Sequence, residues 1–172
     1  IMPALLAGNS VVLKHSAQTP LCAERLHQAF SEAGLPDGVF QYLHLNHRDT
    51  ERVIQSSEIN FVAFTGSVAG GEMVERAAVG RFIGAGLELG GKDPAYVRQD
   101  ANLQHAIETV TDGAIFNTGQ SCCGIERVYV DGSIIQEFVD GVVDLVKSYN
   151  LGRPDNTDTN LGPLVKASAA DF

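Results

Sequence analysis

The chain has 172 residues, 44% of them hydrophobic and 19% charged, and a net charge of -9. That composition fits one ordinary domain or two small lobes, and the acidic balance argues against a nucleic-acid surface. No apolar run approaches the roughly 20 residues of a membrane span, and three cysteines without framework spacing do not make a disulfide scaffold, so a reducing compartment such as the cytoplasm is expected.

In chain order, Gly8 and Asn9 signal a turn, and Val11, Val12 and Leu13 read as a buried strand ending on Lys14. Thr19 is the expected N-cap of a helix with Pro20 at its first position and Leu21, Leu26, Ala29 and Phe30 on its apolar face. Cys22 is expected to pack there and His27 to face water. A turn at Pro36, Asp37 and Gly38 leads to a second strand over residues 39–43. Asp49 is the expected cap of a short helix over residues 51–55. His44 and His47 stand three apart, but without a third ligand they read as a solvated pair rather than a metal site.

A third strand over residues 61–64 runs into Thr65, Gly66, Ser67, Val68, Ala69, Gly70 and Gly71, followed by a helix over residues 72–78. A strand, a turn of small residues and a helix N-terminus make an anion site, because the backbone can approach and the first amides are free to donate. Strands alternating with helices predict an α/β fold with doubly wound parallel sheets, in which ligands sit at the C-terminal strand edges. Lys14 and residues 65–67 are then expected on one edge, where a dinucleotide fits.

Glu88 lies between Leu87 and Leu89 and before Gly90, Gly91 and Lys92. A carboxylate among leucines is set for desolvation and general-base work, with pairing to Lys92 as the alternative. The Gly-Gly break is the expected lobe boundary. A strand begins near Pro94. Asp100 opens a helix with Leu103, Ala106, Ile107, Val110 and Ala114 inward, which delivers the chain to Gly119, Gln120, Ser121, Cys122 and Cys123. A thiol in a polar, glycine-bracketed turn between a helix and a strand meets free backbone amides, which favour the nucleophilic thiolate. A strand over residues 127–130 follows, and Ser133 is the expected cap of a helix burying Ile134, Ile135, Phe138, Val142, Leu145 and Val146. Beyond Leu151 the composition is loop-like.

Taken together and in order, five stretches make the chain resemble the NAD(P)-dependent aldehyde dehydrogenase superfamily. They are residues 3–9, Lys14 with Gln18, Thr19 and Pro20, residues 64–67, residues 87–92, and residues 119–122. Residues 161–165 (Leu161, Gly162, Pro163, Leu164, Val165) also match. Cys122 follows Glu88 by 34 residues, a spacing typical of the family.

The resemblance implies oxidation of an aldehyde to a carboxylic acid with NAD, or with NADP. It assigns Cys122 as the nucleophile that forms a thiohemiacetal and then a thioester, and Glu88 as the general base. Lys14 matches the adenosine-ribose lysine. Gly66, Ser67 and Gly71 match the pyrophosphate turn, with Thr65 and Leu89 near the nicotinamide. Residues 1–89 then correspond to the C-terminal part of the coenzyme-binding domain and residues 90–172 to the first part of the catalytic domain. The family's asparagine oxyanion donor, its later coenzyme-ribose glutamate and its oligomerisation strands are expected outside this stretch. Ala17 replaces the acidic residue that often selects NAD, and residues 45–48 lack the glycines common there.

A homo-oligomer acting on a small-molecule aldehyde, with no metal, is the resulting expectation. The runner-up is a non-catalytic dinucleotide-binding or assembly module. A redox protein using Cys122 and Cys123 is disfavoured, since adjacent cysteines make a strained disulfide.

Overall fold

A computed structural model describes residues 1–171. The chain divides into two compact units, one made of Ile1–Phe64 and Ala69–Leu87, the other of Thr65–Val68 and the chain from Glu88 onward.

In the first unit α1 (Met2–Leu6) precedes β1 (Val11–Leu13), α2 (Leu21–Glu32), β2 (Phe40–Tyr42), α3 (His47–Gln55), β3 (Phe61–Thr65), α4 (Val68–Ala78) and β4 (Gly84–Glu88). β1 and β2 are parallel, with Val11 opposite Phe40 and Leu13 opposite Tyr42, and α2 is the crossover that a parallel pair requires. β3 pairs with β4 instead. Among the described residues the strands therefore pair separately, and no hydrogen-bonded sheet contains both β1, which leads to Lys14, and β3, which leads to the turn.

Several helix starts differ from the sequence reading by a few residues. Pro20, not Thr19, holds the N-cap of α2, and the Thr19 hydroxyl lies 3.2 Å from His15 Nδ1. Asn46 caps α3: its Oδ1 accepts from the Asp49 N–H at 2.9 Å while its Nδ2 donates to Asp49 Oδ2. A side-chain acceptor at this position satisfies one of the orphan amides of the first turn.

The inward face of α2 is also rotated from expectation. Ala23 is buried, whereas Leu21, Ala29 and Cys22 are exposed. His27 is half-buried, its ring 5.4 Å from Tyr42 edge-on and 6.3 Å from Phe40, which packs at a tilt against Phe30 with ring centres 4.8 Å apart. A second cluster joins Ile54, Val74 and Ala77 with Val62, Phe64 and Leu87. The Arg81 guanidinium donates to the Ile54 carbonyl at 2.6 Å and so satisfies the end of α3.

In the second unit β5 (Asp93–Val97) and β6 (Ile125–Val130) are parallel and joined through α5 (Leu103–Ile115); α6 (Ile135–Lys147) follows. The β5 register shifts between Asp93 and Pro94, where proline has no N–H to give the ladder. Asn102, rather than Asp100, caps α5 by accepting from the His105 N–H. Ser133 does not cap α6; its N–H and hydroxyl both donate to Asp131 Oδ1, at 2.9 and 2.6 Å.

Val97, Ile107 and Phe138 form the core of this unit with Leu103, Ala106, Val110, Val142 and Leu145 around them, while Ile135 is exposed. Burying each large apolar side chain contributes roughly 1.5–3 kcal/mol. Two glycines let the elements close up. A Cβ at Gly113 would meet Ile125 Cδ1 at 2.6 Å, and one at Gly141 would collide with the Ile107 side chain. Past α6 the chain is irregular, except for a bridge between Leu151 and Leu161 and a short turn at Ala167–Asp171.

Candidate active site

The helix α5 ends where Phe116 leaves helical geometry, and the chain then makes a short left-handed turn. Asn117 (φ 53, ψ 34) and Thr118 (φ 62, ψ 36) are both in the left-handed region, and Gly119 follows at φ 72. Glycine adopts that conformation freely, asparagine tolerates it, and a β-branched threonine does so only under constraint.

The constraints are visible. Asn117 Nδ2 donates to the Gln120 carbonyl at 3.0 Å, and Gln120 Nε2 donates back to the Asn117 carbonyl at 2.9 Å. Two more bonds leave the turn: the Thr118 hydroxyl donates to the Gly162 carbonyl at 2.9 Å, and Gln120 Oε1 accepts from the Val165 N–H at 2.8 Å. Two strained residues cost about 1–2 kcal/mol each, and four hydrogen bonds at about 0.5–1.5 kcal/mol net each are of the right size to hold them. An open cleft lies between the turn and residues 162–165, lined by Phe116, Asn117, Thr118, Pro154, Leu164 and Val165 among others.

Cys122 stands just past this turn, before β6. Its thiol is free and exposed. Among the described residues nothing accepts a hydrogen bond from the Cys122 N–H, so that donor is open to a ligand. Cys123, also free, has its Sγ 3.3 Å from the Ser121 hydroxyl. Gly91 lies close by, since a Cβ there would come within 3.4 Å of the Cys122 carbonyl oxygen. The Gly-Gly break thus lets two backbone segments approach.

Glu88, the last residue of β4, is exposed, so the desolvation suggested by its flanking leucines is absent. Its carbonyl accepts from the Gly66 N–H at 3.0 Å, which ties the turn after β3 to the segment carrying Glu88 and the half-buried Leu89. Lys92 does not pair with Glu88; it bridges to Glu126 at the start of β6. Among the described residues no hydrogen bond joins the Glu88 carboxylate to the Cys122 thiol.

The turn after β3 is shorter than the sequence suggests. α4 begins at Val68, so Gly70 and Gly71 are helical, Gly71 is buried, and only Gly66 and Ser67 separate strand from helix. Thr65, Gly66 and Ser67 are exposed. Two features suit a dinucleotide. Small residues lead into the N-terminus of an 11-residue helix. Lys14, half-buried just past β1, has no acidic partner among the described residues, leaving its ammonium available to a hydroxyl or phosphate.

Elsewhere the chemistry is sparse. His44 Nε2 lies 3.0 Å from Glu24 Oε1 rather than near His47, and no group of three metal-ligating side chains exists among the described residues. A hollow of about 20 Å³ beside His27 and Phe40 has room for one water at most. Among the described residues no helix is long and apolar enough to cross a membrane.

Parallel pairs β1–β2 and β5–β6 linked by helices define an α/β protein, and an exposed thiol stands just past a constrained turn at its α5-to-β6 junction. The model of the aldehyde dehydrogenase family matches residues 1–172, and the chain belongs to that family.

The chain is 35% identical over 172 residues to a D-glyceraldehyde dehydrogenase (NADP(+)) of Picrophilus torridus, covering 99% of this chain and 34% of that protein. It is 40% identical over 167 residues to a mitochondrial aldehyde dehydrogenase of Leishmania tarentolae, covering 96% of this chain and 34% of that protein. The solved lactaldehyde dehydrogenase of Escherichia coli superposes with a TM-score of 0.91 at 36% identity, over 98% of this chain and 36% of that one. The chain therefore spans about a third of the length of these relatives.

The residues that local patterns missed are Thr118 and Gln120 in their tethering role. The motifs around them were legible, but their partners lie 44 and 45 residues further along the chain.

Proposed function

We propose that this chain carries the nucleophile and part of the coenzyme site of an enzyme that oxidises an aldehyde to a carboxylic acid with NAD or NADP. The observation that carries the reading is the exposed Cys122 thiol beside its own unclaimed N–H, on a turn constrained from both sides, in a chain of this family.

Cys122 attacks the aldehyde carbon as thiolate, forming the C–S bond, and the carbonyl oxygen takes up the negative charge. The Cys122 N–H donates to that oxygen; a single donor of this kind is worth about 100- to 1000-fold in rate. A bound nicotinamide supplies the hydride acceptor. Cys122 then holds the acyl group as a thioester, and Glu88 takes a proton from the water that attacks it, releasing the acid and regenerating the thiolate. Cys123 takes no part.

Lys14, Thr65, Gly66, Ser67 and Leu89 are the residues that would hold the coenzyme, with Gly71 keeping the first turns of α4 free of a side chain. Residues 1–89 serve as the coenzyme part and residues 90–172 as the catalytic part. The relatives carry both coenzymes in their names, NADP(+) in the Picrophilus enzyme and NAD in an aldehyde dehydrogenase of Sinorhizobium meliloti. With Ala17 in place of an acid, we assign both coenzymes to this chain. Exposed apolar residues such as Leu6, Val79 and Phe82 support self-association, and light scattering giving a monomer would count against it.

The test is NAD(P)H formation with D-glyceraldehyde, lactaldehyde and a wider aldehyde panel, beside a Cys122→Ser control. Turnover abolished by the substitution is expected, and retained turnover would sink the assignment. The coverage of only a third of the relatives favours one second reading, a module that binds coenzyme without chemistry. Calorimetry showing coenzyme binding alongside zero turnover would select it.

A further inference from the structure

We propose that Thr118 and Gln120 are positioning residues that fasten the turn before Cys122 to residues 162–165 and thereby set the reactivity of the Cys122 thiol. The proposal rests on Cys122 being the nucleophile.

The two residues flank Gly119 and each sends one bond to the same distant segment. The Thr118 hydroxyl reaches the Gly162 carbonyl, and Gln120 Oε1 takes the Val165 N–H. The two anchors bracket Pro163 and Leu164. Proline's fixed φ and missing N–H help set the spacing between them. Gln120 uses its amide twice, since its Nε2 also closes the turn onto the Asn117 carbonyl.

Without the outer bonds, Thr118 has no reason to stay at φ 62, because left-handed backbone persists in a β-branched residue only where its surroundings over-determine it. Relaxation of Thr118 to the right-handed region rotates the chain four residues before Cys122 and swings both the thiol and its N–H. The residues that make these bonds, Thr118, Gln120, Gly162 and Val165, all line the cleft that the turn and the 162–165 segment share. The segment therefore acts on Cys122 through Thr118 and Gln120 without touching the thiol.

The experiment measures iodoacetamide alkylation of Cys122 against pH, resolved from Cys22 and Cys123 by peptide mass mapping, in the wild-type chain and in four variants. Thr118→Val keeps the shape and removes the hydroxyl. Thr118→Ser keeps the hydroxyl. Thr118→Gly removes the hydroxyl yet accepts positive φ, so backbone strain cannot unfold it. Gln120→Ala removes the other arm.

In the wild type, Cys122 is expected to react fastest of the three cysteines. The Val and Ala variants are expected to slow it by about 5- to 10-fold at pH 7, the size of one lost hydrogen bond, and to shift the pH profile, whereas Gly, with no left-handed strain to release, is expected to slow it less. Ser should restore the rate to within about 2-fold. An unchanged rate and profile in Thr118→Val and Gln120→Ala would overturn the tether while leaving Cys122 as nucleophile. Cys122 reacting no faster than Cys22 and Cys123 in the wild type would overturn the nucleophile reading, and the tether with it.

Discussion

The turn carrying Cys122 and the layer of α5, α6, β5 and β6 belong to one unit, yet they are held in different ways. The layer is apolar: Val97, Ile107 and Phe138 are almost fully buried, and glycines at 113 and 141 let neighbouring side chains reach the helix backbones. The turn buries little. It keeps two non-glycine residues in left-handed backbone and holds them with side-chain hydrogen bonds. Apolar burial is non-directional and tolerates small shifts, whereas hydrogen bonds fix direction. The nucleophile proposed for Cys122 needs direction, so strain and polar contacts belong at the turn and bulk stability belongs in the layer.

That division breaks if substitutions in the two places have the same consequences. The largest effect is expected from Cys122→Ser, which should cut aldehyde turnover by at least about 1000-fold while leaving the melting temperature unchanged. Cys123→Ser should leave turnover near wild type, and NAD(P)H formation reads both.

Phe138→Ala should do the reverse. Opening a cavity at a side chain that is 5% exposed costs about 3–5 kcal/mol, seen as a lower urea midpoint with coenzyme affinity per folded molecule retained. Thr111 sharpens the comparison from within the layer. Its hydroxyl is buried without a hydrogen-bond partner among the described residues. Thr111→Val should therefore be neutral or stabilising, by up to about 1 kcal/mol in urea unfolding. The same hydroxyl-to-methyl change at Thr118 is the one expected to slow Cys122.

The smallest effect concerns Asp131, at the surface between β6 and α6. The hydrogen bond from the Ser133 hydroxyl, then that from its N–H, holds the Asp131 carboxyl below its ordinary value of 3.8. A lowered folded value means the contribution is fully present above the ordinary value and is lost as pH falls below 3.8 through the lowered one. Thermal melts of the wild type against Asp131→Asn should diverge at neutral pH and converge in strong acid.

Much of this was legible in the sequence where local chemistry decides. The strands around Val12, Gln41, Phe64 and Val128 show as apolar or β-branched runs, and the Gly119 to Cys122 stretch stands out once it is taken with the motifs upstream of it. The misses have physical reasons. Asn46 and Asn102 cap where Asp49 and Asp100 were expected, because each polar stretch offers several equivalent acceptors and packing chooses among them. β4 was unread because its Gly84, Ala85 and Gly86 have little strand propensity; it is the Phe61 ring, within 2.8 Å of where a Gly84 Cβ would stand, that covers this face. The left-handed Thr118 is invisible locally, since what permits it is a bond to Gly162.

The central claim is that Cys122, and neither neighbouring thiol, carries the acyl group. The most direct measurement is to mix the protein with coenzyme and aldehyde, quench in acid, and locate the acyl adduct by peptide mass spectrometry. The account predicts the adduct on Cys122, absent without coenzyme and absent from Cys122→Ser. An adduct on Cys123 or Cys22, or turnover with Cys122 never modified, would contradict it.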